Sequence, residues 1–338
     1  MIVESVLIFS NGELIGDGMM KLPFVQALPQ AFPNAHITWL AGRHATIFQT
    51  ALKPLVEPFI HHVVDQTGLG ESFRDCVTNA WKKAGLTAPY DLIIDTEKKI
   101  FPSLALKRIP HGTFVSSSHN WIFSHKKPGK GYEKPPLLLN RLMDLLTVAT
   151  GRTIVPQFGL HVPKEWLDFA QGLLKPYAHR PMVTLAPGAG GRFKCWPLEN
   201  FIKLAQQLEE SNIQPLFLLG PAELEWKDVI QSHMPQAVFP LQQASEQLGH
   251  IPVYVTIAVA KLAQVNVAND GGVGHIVASS NQPTISMWGP TDPVKSTPNG
   301  EKVRVVRAQS FGGTSMTCIP VHAIRQEIHS CLRQENAA

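Results

Sequence analysis

Apolar residues fall along this chain in short continuous runs, separated by longer stretches in which apolar and polar positions mix. The runs VESVLIFS (3–10), HITWLAG (36–42), YDLIIDTE (90–97) and GTFVSSS (112–118) read as strands buried on both faces. Between them the pattern predicts helices. One opens at Gly16-Asp17 and runs to about Gln30, KKIFPSLALKR forms a second, and PLLLNRLMDLLTVAT a third that closes at Gly151, a residue suited to a C-terminal cap. A second alternation starts at Met182. Strand MVTLA and its glycine loop lead into helix WPLENFIKLAQQLEESN, strand IQPLFLLG, helix PAELEWKDVIQSHM and a short strand AVFPL. Helix VTIAVAKLAQ, strand VNVAND, helix GVGHIVASS and strand QPTISMWG follow. Continuous apolar strands alternating with helices specify parallel sheets covered on both sides. The expected fold class is therefore α/β, with two Rossmann-like doubly wound domains facing a central cleft.

The segment from Thr153 to Pro181 carries Pro156, Pro163, Pro176 and Pro181, and the interdomain linker is placed there. The expected layout is a first domain over 1–160, a linker over 161–181 and a second domain over 182–318. A C-terminal helix, 319–338, is expected to pack back on the first domain. A length of 338 residues suits two domains. The apolar runs fall well short of the ~18–20 residues of a membrane span, and the N-terminus reads as a buried strand rather than a signal peptide. The four cysteines, Cys76, Cys195, Cys318 and Cys331, lack metal-ligand spacing and suit reduced thiols in a cytoplasmic protein. A net charge of +4 mildly favours anionic partners and gives no reason to expect nucleic acid.

In doubly wound sheets ligands bind at the carboxyl ends of the strands, beside helix N-termini. That rule selects the loops at 10–18, 187–196 and 269–275. In NDGGVGH, glycines precede a helix start whose free N–H groups favour an anion, commonly phosphate. His275 stands in the first turn, within reach of a phosphate or sugar oxygen. Asp270 reads equally well as a helix cap. LAPGAGGRFKCWP repeats the plan, with Arg192 and Lys194 as cations beside the anion, or as ordinary solvated residues. It lacks the G-K-[ST] of a Walker loop and the G-x-G-x-x-G of a dinucleotide site. In NGELIGDGMMKLP, Asp17 at a helix start is either a cap or a base able to take a proton from a hydroxyl, with Glu13 the weaker candidate. In LLGPAELE, Glu223 is placed to accept from ribose hydroxyls or to favour a helix dipole. The basic stretch SHKKPGKGYEK, with Lys126, Lys127, Lys130 and Lys134, suits solvated surface or an anionic acceptor or membrane.

Taken in order, LIGDGMMKLP, PGAGGRFKCWPLENFIKLAQQL, LLGPAELE, NDGGVGHIVASSNQPTISMWGPTDP and CIPVHAIRQEIHSCL resemble the heptosyltransferase family of lipopolysaccharide core synthesis, glycosyltransferase family 9, whose fold is GT-B. The resemblance implies an inverting, metal-independent glycosyltransferase that needs no cofactor beyond its nucleotide-sugar donor, ADP-heptose. It implies an acceptor in the first domain, the donor in the second, and a glycan or glycolipid acceptor met at the inner membrane surface. By motif, Asp17 matches the catalytic base. Lys194 matches the lysine near phosphates and ribose, and Glu223 an acidic ribose contact. Asp270 matches an aspartate near the donor sugar, and Gly271, Gly272 and His275 the diphosphate-binding turn. The chain departs from the family at Gly271, where a hydroxyl residue is usual, and at Ala189 and Gly190, where Ser or Thr often stands. Two alternatives remain open: a sugar-nucleotide epimerase of GT-B-like fold, and a sugar-nucleotide-binding protein without activity.

Overall fold

In the computed structural model, residues 3–86 and 89–335 are described. Met1, Ile2 and residues 336–338, at the two ends of the elements expected there, lie outside that set. The chain divides into two units, 1–157 and 158–338.

The first unit holds a five-stranded parallel sheet in the order β3-β2-β1-β4-β5. Its strands are β1 (Ser5–Ser10), β2 (His36–Ala41), β3 (His62–Val64), β4 (Tyr90–Asp95) and β5 (His111–Ser116). Val6, Leu7, Ile8 and Phe9 are wholly removed from water, as are Ile93 and Ile94. That two-sided burial is why the sequence here runs apolar without alternating. The helix Ile15–Gln26 follows β1, and Pro23 lies inside it. The strand order reverses between β1 and β4, whose carboxyl ends lie level, with Phe9 opposite Asp95.

The second unit repeats the plan with order β10-β9-β8-β6-β7. Its strands are β6 (Met182–Ala186), β7 (Gln214–Phe217), β8 (Val265–Asn269), β9 (Thr284–Trp288) and β10 (Val303–Arg307). Here the order reverses between β6 and β8, with Ala186 opposite Ala268. The loops leaving these two strands therefore start side by side. Trp196, Phe201, Phe217 and Met287 lie together in the core. Burying a side chain such as Phe201 or Phe217 contributes on the order of 2–3 kcal/mol.

Three stretches read from sequence take these places. The segment expected as linker contains the helix Lys164–Leu174, which packs on the helix Val253–Leu262 and belongs to the second unit. The short strand at AVFPL reduces to one bridge between Leu216 and Val238, after which Pro240 opens the helix Pro240–Leu248. Proline at a first helical position loses no hydrogen bond and is pre-set for the helix. The terminal helix Val321–Glu335 belongs to the second unit. Its stripe Ile324, Ile328 and Cys331 completes the second unit's core, and it packs on the helix Leu198–Glu210.

Candidate active site

Three loops meet at the carboxyl ends of β6, β8 and β9. The first leaves β6 at Pro187, passes Gly188, Ala189, Gly190 and Gly191, makes one 3₁₀ turn over Arg192–Lys194, and enters the helix Leu198–Glu210. The second is Asp270-Gly271, before the helix Gly272–Ala278. The third follows β9 and carries Thr291.

Asp270 is the centre. Its Oδ2 accepts from Lys194 Nζ at 2.7 Å and from Thr291 Oγ1 at 2.6 Å. The carboxylate is 9% exposed and the lysine side chain 27%, so the pair is half out of water and weakly screened. Asp270 therefore does not cap the following helix. The cap position is Gly271, which has no side chain to offer. An added β-carbon at Gly271 would lie 3.0 Å from Ala189 Cα, so glycine is what lets the two loops touch.

Glu223 borders the same loop from the other side. It is buried, and its Oε2 accepts from the Gly220 N–H at 3.1 Å. Burial raises its pKa, while the Gly220 N–H and Arg192 pull the other way. A β-carbon on Gly188 would sit 2.6 Å from Glu223 Oε1, so Gly188 leaves room for that carboxylate. His275 is buried, and its Nδ1 has no hydrogen-bond partner among the described residues. Burial lowers its pKa to about 4, opposed by Asp270 and reinforced by Lys194, so the ring is neutral at pH 7.

The second-unit candidates Lys194, Glu223, Asp270, Gly271, Gly272 and His275 thus gather around one loop. Arg192 acts on Glu223 only through its charge, and its direct partners lie outside this group. It pairs with Glu225, and its guanidinium lies 4.2 Å from the Trp226 ring centroid. Asp17 is in the first unit, exposed in the first turn of Ile15–Gln26. Glu13, the weaker candidate, is a structural group. Its buried carboxylate accepts from Ser10, from Thr46 and from Lys21 Nζ at 2.8 Å.

Three further polar positions that shape these loops were not singled out from sequence. Thr291 supplies a hydroxyl to Asp270 and lies in the quoted WGPTDP, directly after a strand. Asn269 is 1% exposed at the end of β8 and holds both ends of the Lys194 loop. Its Nδ2 donates to Pro187 O at 2.7 Å, and its Oδ1 accepts from Trp196 N at 3.0 Å. In the first unit Asp95, fully buried at the end of β4, accepts from Ser103 Oγ at 2.6 Å, Ser116 Oγ at 2.8 Å and the Glu97 N–H at 2.9 Å. The same unit has a cavity of about 590 Å³ lined by Asn11, Arg43, Glu71, Lys99, Phe101 and His119 among others. No group of three or more His, Cys, Asp or Glu side chains among the described residues could hold a metal ion.

Two Rossmann-like units, each a five-stranded parallel sheet with one reversal of strand order, make a fold of the GT-B type. The sequence pattern of glycosyltransferase family 9 (heptosyltransferase) matches residues 81–317, and the chain belongs to that family. Lipopolysaccharide heptosyltransferase 2 of Escherichia coli is 29% identical over 176 residues, 47% of this chain and 49% of that protein. The chain thus matches about half the length of that relative. Lipooligosaccharide heptosyltransferase 2 of Haemophilus influenzae is 23% identical over 310 residues, 87% of this chain and 86% of the relative. The structure of the E. coli heptosyltransferase WaaC with ADP superposes with a TM-score of 0.66 at 21% identity, covering 97% of this chain and 99% of that one, which shows a shared fold.

Proposed function

We propose that the protein moves a heptosyl unit from an ADP-linked donor to a hydroxyl of a lipopolysaccharide-core or related glycan acceptor, with inversion. The observation that carries this reading is the Lys194–Asp270–Thr291 cluster at the β6/β8 reversal. The heptosyltransferase relatives and the related fold solved with ADP support the choice of donor.

Asp270 occupies one of the three N–H donors of Lys194, leaving two for a diphosphate. Both bonds to Asp270 fall on Oδ2, so Oδ1 serves a hydroxyl of the donor sugar. Gly271 and Gly272 bring backbone close to the phosphates. Neutral His275 contributes a hydrogen bond rather than a charge. Glu223 accepts from the ribose. In the reaction Asp17 takes the proton of the acceptor hydroxyl as its oxygen bonds to the anomeric carbon. The bond from that carbon to the β-phosphate oxygen breaks, and the diphosphate leaves with the electron pair. Lys194 meets the charge that develops there, a preorganised electrostatic role.

The acceptor is assigned to the first unit's cavity, whose Arg43, Lys99 and His119 suit an anionic glycan. A glycolipid acceptor would place the enzyme at the inner membrane surface. No helix among the described residues is long and apolar enough to cross a membrane.

The test is calorimetric titration with ADP, UDP, GDP and CMP, using the wild type and Lys194→Ala. ADP should be selected. The variant should lose about 1.5–3 kcal/mol of affinity, roughly 10- to 150-fold. Selection of UDP or GDP would discard the ADP-linked donor, and no binding of any nucleotide would defeat the transferase reading.

A further inference from the structure

Ile100 and Phe101, which line the first unit's cavity, belong to an exposed apolar patch. Phe73 and Val77, one helical turn apart on Phe73–Val77, are 67% and 56% exposed. Ile100 and Phe101, in the first turn of Ile100–Leu106, are 37% and 43% exposed. The two helices form one surface. Cys76 Sγ approaches Phe101 O at 3.5 Å, and Gly70, at a positive φ of 86°, lies so close to Pro102 that a β-carbon would fall 2.5 Å from Pro102 Cα. Contiguous exposed apolar side chains mark an interaction site rather than ordinary surface.

The surrounding charge is not balanced. Asp75 is turned onto the backbone N–H groups of Gly70 and Ser72, and Glu97 accepts from Asn11 N. Glu71, which lines the cavity, is the exposed acid here. Against it stand the exposed cations Arg43, Arg74, Lys82, Lys83 and Lys99. The basic stretch that sequence offers for membrane contact is a poorer fit. Its first lysine, Lys126, donates to Ala149 O at 2.5 Å and is tied to a helix end.

We infer that Phe73–Val77 and Ile100–Phe101, ringed by these cations, dock the enzyme on an anionic lipid surface, with the cavity opening at the bilayer. Aromatic and aliphatic side chains inserted at the interface, with cations at the headgroups, are the chemistry such a surface binds. The inference rests on the acceptor reading above.

Flotation of the full chain with vesicles of phosphatidylethanolamine and phosphatidylglycerol, against pure phosphatidylcholine, tests it, with ADP affinity measured on every variant. Wild type should float with the anionic vesicles only, and less at 0.5 M salt. Phe73→Gln/Val77→Gln and Lys82→Glu/Lys83→Glu should each cut the bound fraction about tenfold while ADP affinity stays unchanged. Equal binding to neutral vesicles, or loss on Lys127→Glu/Lys130→Glu instead, would overturn the inference. So would a change in oligomeric state without lipid, which would make the patch an interface between copies. Vesicle binding in a chain that binds no ADP would leave the surface standing and defeat the transferase reading.

Discussion

Replacing Asp95 with asparagine should stabilise the first unit at neutral pH. Asp95 is wholly buried, its hydrogen-bond donors are two hydroxyls and one N–H rather than a cation, and burial raises its pKa from 3.8 to about 6. The hydroxyls of Ser103 and Ser116 and the Glu97 N–H oppose that shift, and the Glu97 carboxylate adds to it. The native state therefore binds the proton more tightly than the unfolded chain. Stability contributed by the protonated form is full below about pH 3.8 and is lost as pH rises through 6. The cost at pH 8 is the shift of about 2 units at 1.36 kcal/mol each, or about 3 kcal/mol. Asparagine keeps the shape and avoids the charge. Its Oδ1 accepts from Glu97 N, and its amide donates to the two hydroxyls, which rotate to accept. Urea unfolding of wild type and Asp95→Asn at intervals from pH 4 to pH 8 measures the difference. The variant's advantage should grow with pH to about 3 kcal/mol. An advantage that is flat across that range, or a variant weaker at pH 8, would refute the reasoning.

Other substitutions probe the second unit and the base. Asn269→Leu strands the Pro187 carbonyl and the Trp196 N–H, and should cost about 2–4 kcal/mol in unfolding experiments while also weakening ADP binding. Stability loss with unchanged ADP affinity would show that Asn269 does not position the Lys194 loop. Gly188→Ala presses on the Glu223 carboxylate and should narrow the gap in affinity between ADP and its 2′-deoxy form; an unchanged gap removes Glu223 from the ribose site. Asp17→Asn should lower transfer by roughly 10²–10⁴ with nucleotide affinity unchanged, the range expected of a general base. Full activity in that variant would remove Asp17 from the chemistry.

Most strands could be placed from sequence because two-sided burial forces unbroken apolar runs, as in β1, β4 and β8. β3 could not, since His62–Val64 is three residues long and half-buried at the sheet edge, with no run to see. AVFPL misleads because the three apolar residues before Pro240 fit a strand end and a helix start equally well. Nor is strand order written in local pattern, because it depends on crossovers that skip neighbours. The glycine loops at strand ends were legible, and with them the neighbourhood of Lys194, Glu223 and Asp270. Partner choice was not. Arg192 and Lys194 are two residues apart in a 3₁₀ turn, where each residue advances about 120°. They face different directions, one to Glu225 and Trp226 and the other to Asp270. Glu13 and Asp17 look alike in sequence, and only the fold shows Lys21 neutralising one and leaving the other exposed. Asp95 gave no signal, since an acid ending an apolar strand is more often solvated than sealed by two serines.

The most direct test of the account is mass spectrometry of a lipopolysaccharide-core acceptor incubated with ADP-heptose and the protein, with released ADP quantified in parallel. The account predicts an acceptor heavier by one heptosyl unit and one ADP released for each unit transferred. Donor turnover with no mass gained by the acceptor would contradict it, because the Lys194–Asp270 site would then be serving a different reaction on the same nucleotide sugar.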